Sequence, residues 1–184
     1  SGSGVYTMDG TTKTISGANA VPISNLTING TVTNNGTLTV GTALAGAGTL
    51  TNGNSATLNV AGTTPLSGGT LVASGTSNTV NYTSATQTCK TINYVNLTVS
   101  GSGTFTCATT TITGNLTTSG TVAWTTGANL AVTGAVNIGN GTTLTQGAFT
   151  LSVGGVMTVG GGSSGTFVGS GSALTLNGNL ALAS

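Results

Sequence analysis

Cys89 and Cys107 are the only thiols in this 184-residue sequence, and their spacing sets the first expectation. They stand 18 residues apart in matching settings, Gln87-Thr88-Cys89 and Phe105-Thr106-Cys107. If the chain coils with a repeat close to that length, one thiol lies directly above the other. The layer separation would be ~4.8 Å, inside the ~4.4–6.8 Å Cα window that a disulfide accepts. The competing reading is a pair of buried free thiols, but an even cysteine pair fits the bond if the chain is secreted into an oxidising compartment. Little other chemistry is on offer. The sequence has no His, Arg or Glu, Asp9 is its one carboxylate side chain, and Lys13 and Lys90 are its only cationic side chains. Paired-carboxylate catalysis and a Ser-His-Asp triad therefore cannot be assembled. Calcium sites need several carboxylates, and zinc needs more ligands than two cysteines and one aspartate provide, so neither metal nor cofactor is expected. Two lysines make no basic stripe for nucleic acid, and no phosphate-cradling GxxxxGK[ST] occurs. The expectation is a protein that is not an enzyme.

The elements that must hold the cysteines follow one grammar, stated most clearly in Asn25 to Val40, NLTINGTVTNNGTLTV. Leu26, Ile28, Val32, Leu38 and Val40 alternate with Thr and Asn, and successive strand residues point to opposite faces. Each run reads as a half-buried strand. The Asn-Gly and Asn-Asn-Gly steps between runs read as corners that use residues tolerant of positive φ. Related units recur, and their lead leucines are 20 residues apart (Leu38 to Leu58), then 19 (Leu97 to Leu116), 21 (Leu130 to Leu151) and 23 (Leu151 to Leu174). Self-similarity at such a period marks a solenoid, whose turns bury their apolar faces only by stacking. The fold expected is all-β, a single-domain β-solenoid of short stacked strands, with about 8 turns if each takes ~20 residues. The runner-up is an antiparallel β-sandwich of pilin or immunoglobulin type with donor-strand exchange. Residues 1–24 read as an N-terminal cap or assembly arm and 25–184 as the solenoid body.

Composition bounds the rest. Charged residues make up 2 %, against ~25 % in ordinary domains, while 36 % of the chain is apolar and alternating. No window approaches a membrane-spanning helix. Pro22 and Pro65 are expected outside the laddered strands, since proline has no N–H to give. Tyr82, Tyr94, Phe105 and Trp124 cluster with the cysteines and read as core rather than as a ligand platform. The run Gly160 to Gly165 reads as a wide corner or surface loop. Seven Asn-x-Ser/Thr sequons are about what this composition yields by chance, so they carry no argument for glycosylation.

The segments NLTVSGSGTFT (96–106), TITGNLTTSGTV (111–122) and ANLAVTGAVNIGNGTTL (128–144) resemble the Gly/Thr/Asn-rich β-helical repeats of large bacterial surface adhesins, filamentous-haemagglutinin-like proteins and autotransporter passengers among them. The resemblance spans roughly residues 25 to 182 and implies architecture and a secreted, extracellular or cell-surface setting. The chain lacks a C-terminal membrane-barrel pattern and a secretion-module signature, so it is not expected to be a complete autotransporter.

Three functions fit such a chain. The first is a structural subunit of a self-assembling extracellular filament, a homopolymer of copies of itself joined head to tail. Its interface would be Val5, Tyr6, Met8 and Ile15 at one end and Leu174, Leu176, Leu180 and Leu182 at the other. The physical basis is that solenoid ends expose unpaired strand edges, which monomeric proteins blunt with charge, proline or caps, and this chain has three charged side chains. The second is an ice-binding β-solenoid, suggested by Thr31/Thr33, Thr37/Thr39, Thr49/Thr51, Thr104/Thr106, Thr109/Thr111 and Thr143/Thr145. An ice-matching face needs such pairs in register, one per turn, and the irregular starting positions place this reading second. The third is an adhesin fragment that binds glycans or surfaces through Tyr or Trp faces.

Overall fold

The computed structural model describes residues 4–160 and 164–183. Among them there is no helix, and every strand pair is parallel. The chain winds as a β-solenoid of about nine turns, one more than its period suggested. Nine layers at ~4.8 Å give a body about 40 Å long. No antiparallel pair of the sandwich kind is present among the described residues.

Each turn in the C-terminal half visits three faces. The longest is a ten-stranded sheet that begins with Val5–Met8, Val21–Ile28 and Thr37–Ala45 and ends with Met157–Val159 and Leu180–Leu182. The second is a five-stranded sheet of Gln87–Thr88, Ser102–Cys107, Thr121–Thr126, Thr143–Thr145 and Thr166–Val168. The third is split into two four-stranded sheets, Lys13–Ile15 to Thr70–Val72 and Thr111–Ile112 to Leu174–Leu176, the second reached through a bridge between Tyr94 and Ile112. In the N-terminal turns Val21–Ile28 and Thr37–Ala45 run round the first corner, with a register shift between Ile23 and Asn25. Bonds from Leu66 N to Leu44 O and from Thr88 N to Thr63 O then lead into the five-stranded sheet.

The inward columns are those that the lead leucines mark. Leu38 pairs with Leu58, Leu97 with Leu116, and Leu130 with Leu151 and then Leu174. A 23-residue turn therefore stacks in register on a 21-residue one, because extra residues are absorbed at corners and the strands keep their pairing. The interior is one continuous apolar cluster from Ile15 to Met157. Tyr82, Phe105 and Trp124 lie inside it, with ring centroids 5.3 Å apart at each step, and Phe105 meets Trp124 edge to face.

Residues 5–24 wind as the first turn of the stack: Tyr6 pairs with Leu26 and Thr14 with Thr33. Two local expectations are corrected. Pro22 lies within Val21–Ile28, opposite Thr39. Among the described residues, pairing with the first turn covers Asn25–Ile28 and does not involve Pro22, whose nitrogen has no hydrogen to donate. The asparagines at corners do not supply positive φ, which among non-glycine residues is found at Thr12, Ser55, Leu66 and Ser77. Asn34, Asn52 and Asn78 instead turn inward and are fully buried. Asn34 Nδ2 donates to Asn52 Oδ1 at 2.8 Å, Asn52 Nδ2 to Thr79 O at 3.0 Å, and Asn78 Nδ2 to Asn52 O at 2.6 Å. Their amides satisfy carbonyls that a corner removes from the ladder, which an apolar side chain cannot do.

Glycine columns take the corners themselves. Gly114, Gly134, Gly155 and Gly178 stack so closely that a Cβ on Gly134 would come 2.5 Å from Gly114 O, and one on Gly178 2.2 Å from Gly155 O. The 161–163 part of the expected Gly160 to Gly165 corner lies outside the described residues.

Candidate functional site

The cysteines behave as their spacing predicts. The pairs Gln87 with Phe105 and Thr88 with Thr106 place Cys89 over Cys107, and the two form a disulfide with Cα atoms 5.1 Å apart. The bond lies at the start of a stretch poor in strand, since residues 89–95 contribute only the Tyr94 bridge. That segment is fastened by side chains instead. Lys90 N donates to Tyr82 Oη at 2.9 Å, and Tyr94 Oη donates to Lys90 O. The Tyr82 hydroxyl is left to donate to Tyr94 Oη at 2.8 Å. Lys90 Nζ donates to Leu66 O and Gly69 O at 2.9 and 2.8 Å, so this cation ties two turns together. Asp9 accepts from Asn29 Nδ2 at 2.9 Å in the same way. These bonds hold the segment to the turns on either side of it.

Two predictions arise here. Reduction, or Cys89→Ala with Cys107→Ala, should lower stability by about 3 kcal/mol, the chain-entropy value for a loop of this length. Denaturant titration with and without reductant reads this directly, and equal midpoints would mean that the bond does not constrain the fold. The second concerns alkali. Burial pushes the Tyr82 phenol up to about 12 from its ordinary 10.0, and burial, with the charge and hydrogen bond of Tyr82, raises Tyr94 as well. A phenol whose folded pKa is raised holds its full stabilisation below pH ~10 and loses it as pH climbs toward the folded pKa, at about 1.4 kcal/mol per unit for each group. Stability should be flat through neutrality and fall from about pH 10 to pH 12. Ultraviolet titration should show the buried tyrosinates appearing together with unfolding. Their ionisation in a chain that retains its circular dichroism would contradict this.

The sequence-predicted interface residues fall at opposite ends of the stack and are not brought together within one chain. Val5 and Tyr6 are exposed on the first turn, Met8 is half-buried against the core, and Ile15 is buried. At the other end Leu174, Leu180 and Leu182 are exposed, Leu182 by 78 %, and Leu176 packs partly on the core. The first described strand, Val5–Met8, heads the ten-stranded sheet but pairs with Asn25–Ile28, the part of that strand past the first corner, which leads turn by turn toward the five-stranded sheet. The last, Leu180–Leu182, closes a turn on the ten-stranded face. One end therefore offers the side that follows where the other stops. Among the described residues no helix or crossing strand covers either end.

The threonine pairs that look irregular in sequence are sorted by the winding. Thr31/Thr33 and Thr49/Thr51 fall in register on the third face, and Thr37/Thr39 on the ten-stranded face. Thr109 is buried and leaves the set. On the five-stranded face one outward column runs Thr104, Ala123, Thr143, Thr166. The other runs Thr88, Thr106, Thr125, Thr145, Val168. The unequal starts 104 and 143 were no obstacle, because corner residues take up the difference. Of the aromatic rings that a glycan platform needs, Tyr82, Tyr94, Phe105 and Trp124 are buried, whereas Tyr6 and Phe149 are exposed.

Neither family models, nor curated proteins, nor solved structures match this chain. No helix of the described residues is long and apolar enough to cross a membrane.

Proposed function

We propose that this protein is a structural subunit of an extracellular filament that grows by stacking the first turn of one copy on the last turn of another. The observation that carries the reading is the pair of apolar ends: Val5 and Tyr6 at one, and Leu174, Leu180 and Leu182 at the other, each beside open strand edges. Exposed parallel edges recruit further strands unless charge or a cap prevents it, and the chain carries three charged side chains and a net charge of +1. In a head-to-tail stack Val5–Met8 would continue the path after Leu180–Leu182 and lie over Thr166–Val168, with Lys13–Ile15 over Leu174–Leu176. A heterologous contact of this kind does not close into a ring and propagates. The disulfide fits an oxidising, extracellular compartment.

Sedimentation velocity and negative-stain microscopy of the purified chain over rising concentration test the reading. Fibres about one solenoid wide, with an axial repeat near 40 Å per copy, are expected. A monomer at the highest concentration reached would sink it.

A further inference from the structure

The geometry points to the five-stranded face as an ice-binding surface, on which two columns of threonine present hydroxyl and methyl groups to an ordered water lattice. This goes beyond the filament reading and does not depend on it, since the face runs along the side of the stack and stays open whether or not copies join.

Four observations carry it. The columns are rectilinear: Thr106, Thr125 and Thr145 pair in sequence, Thr104 and Thr143 flank Ala123, and no register shift interrupts the four strand pairs. Neighbours are thus ~4.8 Å apart along the stack and ~6.7 Å apart across it, separations in the range at which oxygen rows repeat in hexagonal ice. The face is uncharged, for Asp9 lies in the first turn, Lys13 on the third face, and Lys90 Nζ is held by two carbonyls. Among the described residues the threonine hydroxyls of the two columns have no hydrogen-bond partner, which leaves them to bond water. The ten-stranded face differs: Asn59 Nδ2 donates to Thr39 Oγ1 and Asn81 Nδ2 to Asn59 Oδ1, both at 3.1 Å, so its amides partly satisfy one another. Finally, the array is stiff. Beneath it Phe105, Trp124 and Leu144 form a packed inward column, and β-branched threonine has few rotamers to lose on binding.

Ice matching is cooperative over the array, so one bulky residue at its centre should disrupt it while leaving an exposed site free to fold. Thermal hysteresis and inhibition of ice recrystallisation would be measured for the wild-type chain, for Thr106→Tyr with Thr125→Tyr, and for Asn137→Tyr on the ten-stranded face. The wild type should show hysteresis, the double variant should lose it by at least about tenfold with an unchanged melting profile, and Asn137→Tyr should retain it. Absence of hysteresis in the wild type overturns the assignment. So does hysteresis that survives the double substitution, or that Asn137→Tyr abolishes equally.

Discussion

With aspartate at Leu180 and Leu182 the chain should stay folded and remain monomeric at concentrations where the wild type forms fibres. Both positions are exposed, at 54 % and 78 %, so the isolated subunit loses little packing. In a stacked junction the same side chains would be covered by the first turn of the next copy, and two carboxylates would then lie in an apolar contact without a cation. Such unpaired buried charge costs roughly 3–5 kcal/mol, and every 1.4 kcal/mol is tenfold in an equilibrium constant, so the critical concentration should rise more than about a hundredfold. Val5→Asp with Tyr6→Asp should act alike from the other end, and mixing the two double variants should not restore growth beyond short oligomers. Normal fibres from the Leu180 and Leu182 variant would place the contact elsewhere. A loss of circular dichroism would instead show that the last turn is needed for folding, and the Val5 and Tyr6 variant then decides.

Gly101→Ala should be among the most damaging single changes in the chain. A Cβ at Gly101 would stand 1.9 Å from Ser84 O, a backbone atom of the turn below, so relief requires the turns themselves to part. Gly101 is buried mid-stack, and the strain would fall on the turns that carry the disulfide and the tyrosine pair. A loss of about 3 kcal/mol or more is expected, at the upper end for a core substitution. Gly41→Ala is the control: nothing lies within 4 Å of its Cβ, and its φ is not positive, so the change should be neutral or slightly stabilising. Urea midpoints compare the two. Equal midpoints would mean that close backbone approach at the corners is not what the glycines provide.

Stacking is read from strands, and strands are where this sequence is explicit. Alternation of Leu, Val and Ile with Thr and Asn, set against the spacing of the lead leucines, determined that the chain is a parallel solenoid and which leucines share a column. It also determined that Cys89 meets Cys107, because a disulfide in register needs only the length of one turn. Burial of Trp124, Phe105 and the two tyrosines followed from their place in the same pattern. The glycine column at 114, 134, 155 and 178 carried an equally readable signal, with the same spacings as the leucines, but its meaning depends on how close two backbones come. That distance exists only between turns. For the same reason only the tertiary structure turned Asn34, Asn52 and Asn78 inward, since the carbonyls they satisfy belong partly to other turns. It alone showed that residues 5–24 wind as a turn, that Pro22 lies within a strand, and that unequal threonine spacings become two straight columns. Corners of variable length erase periodicity along the chain but not register across it, because parallel strands pair residue to residue whatever the length of chain that brings them together.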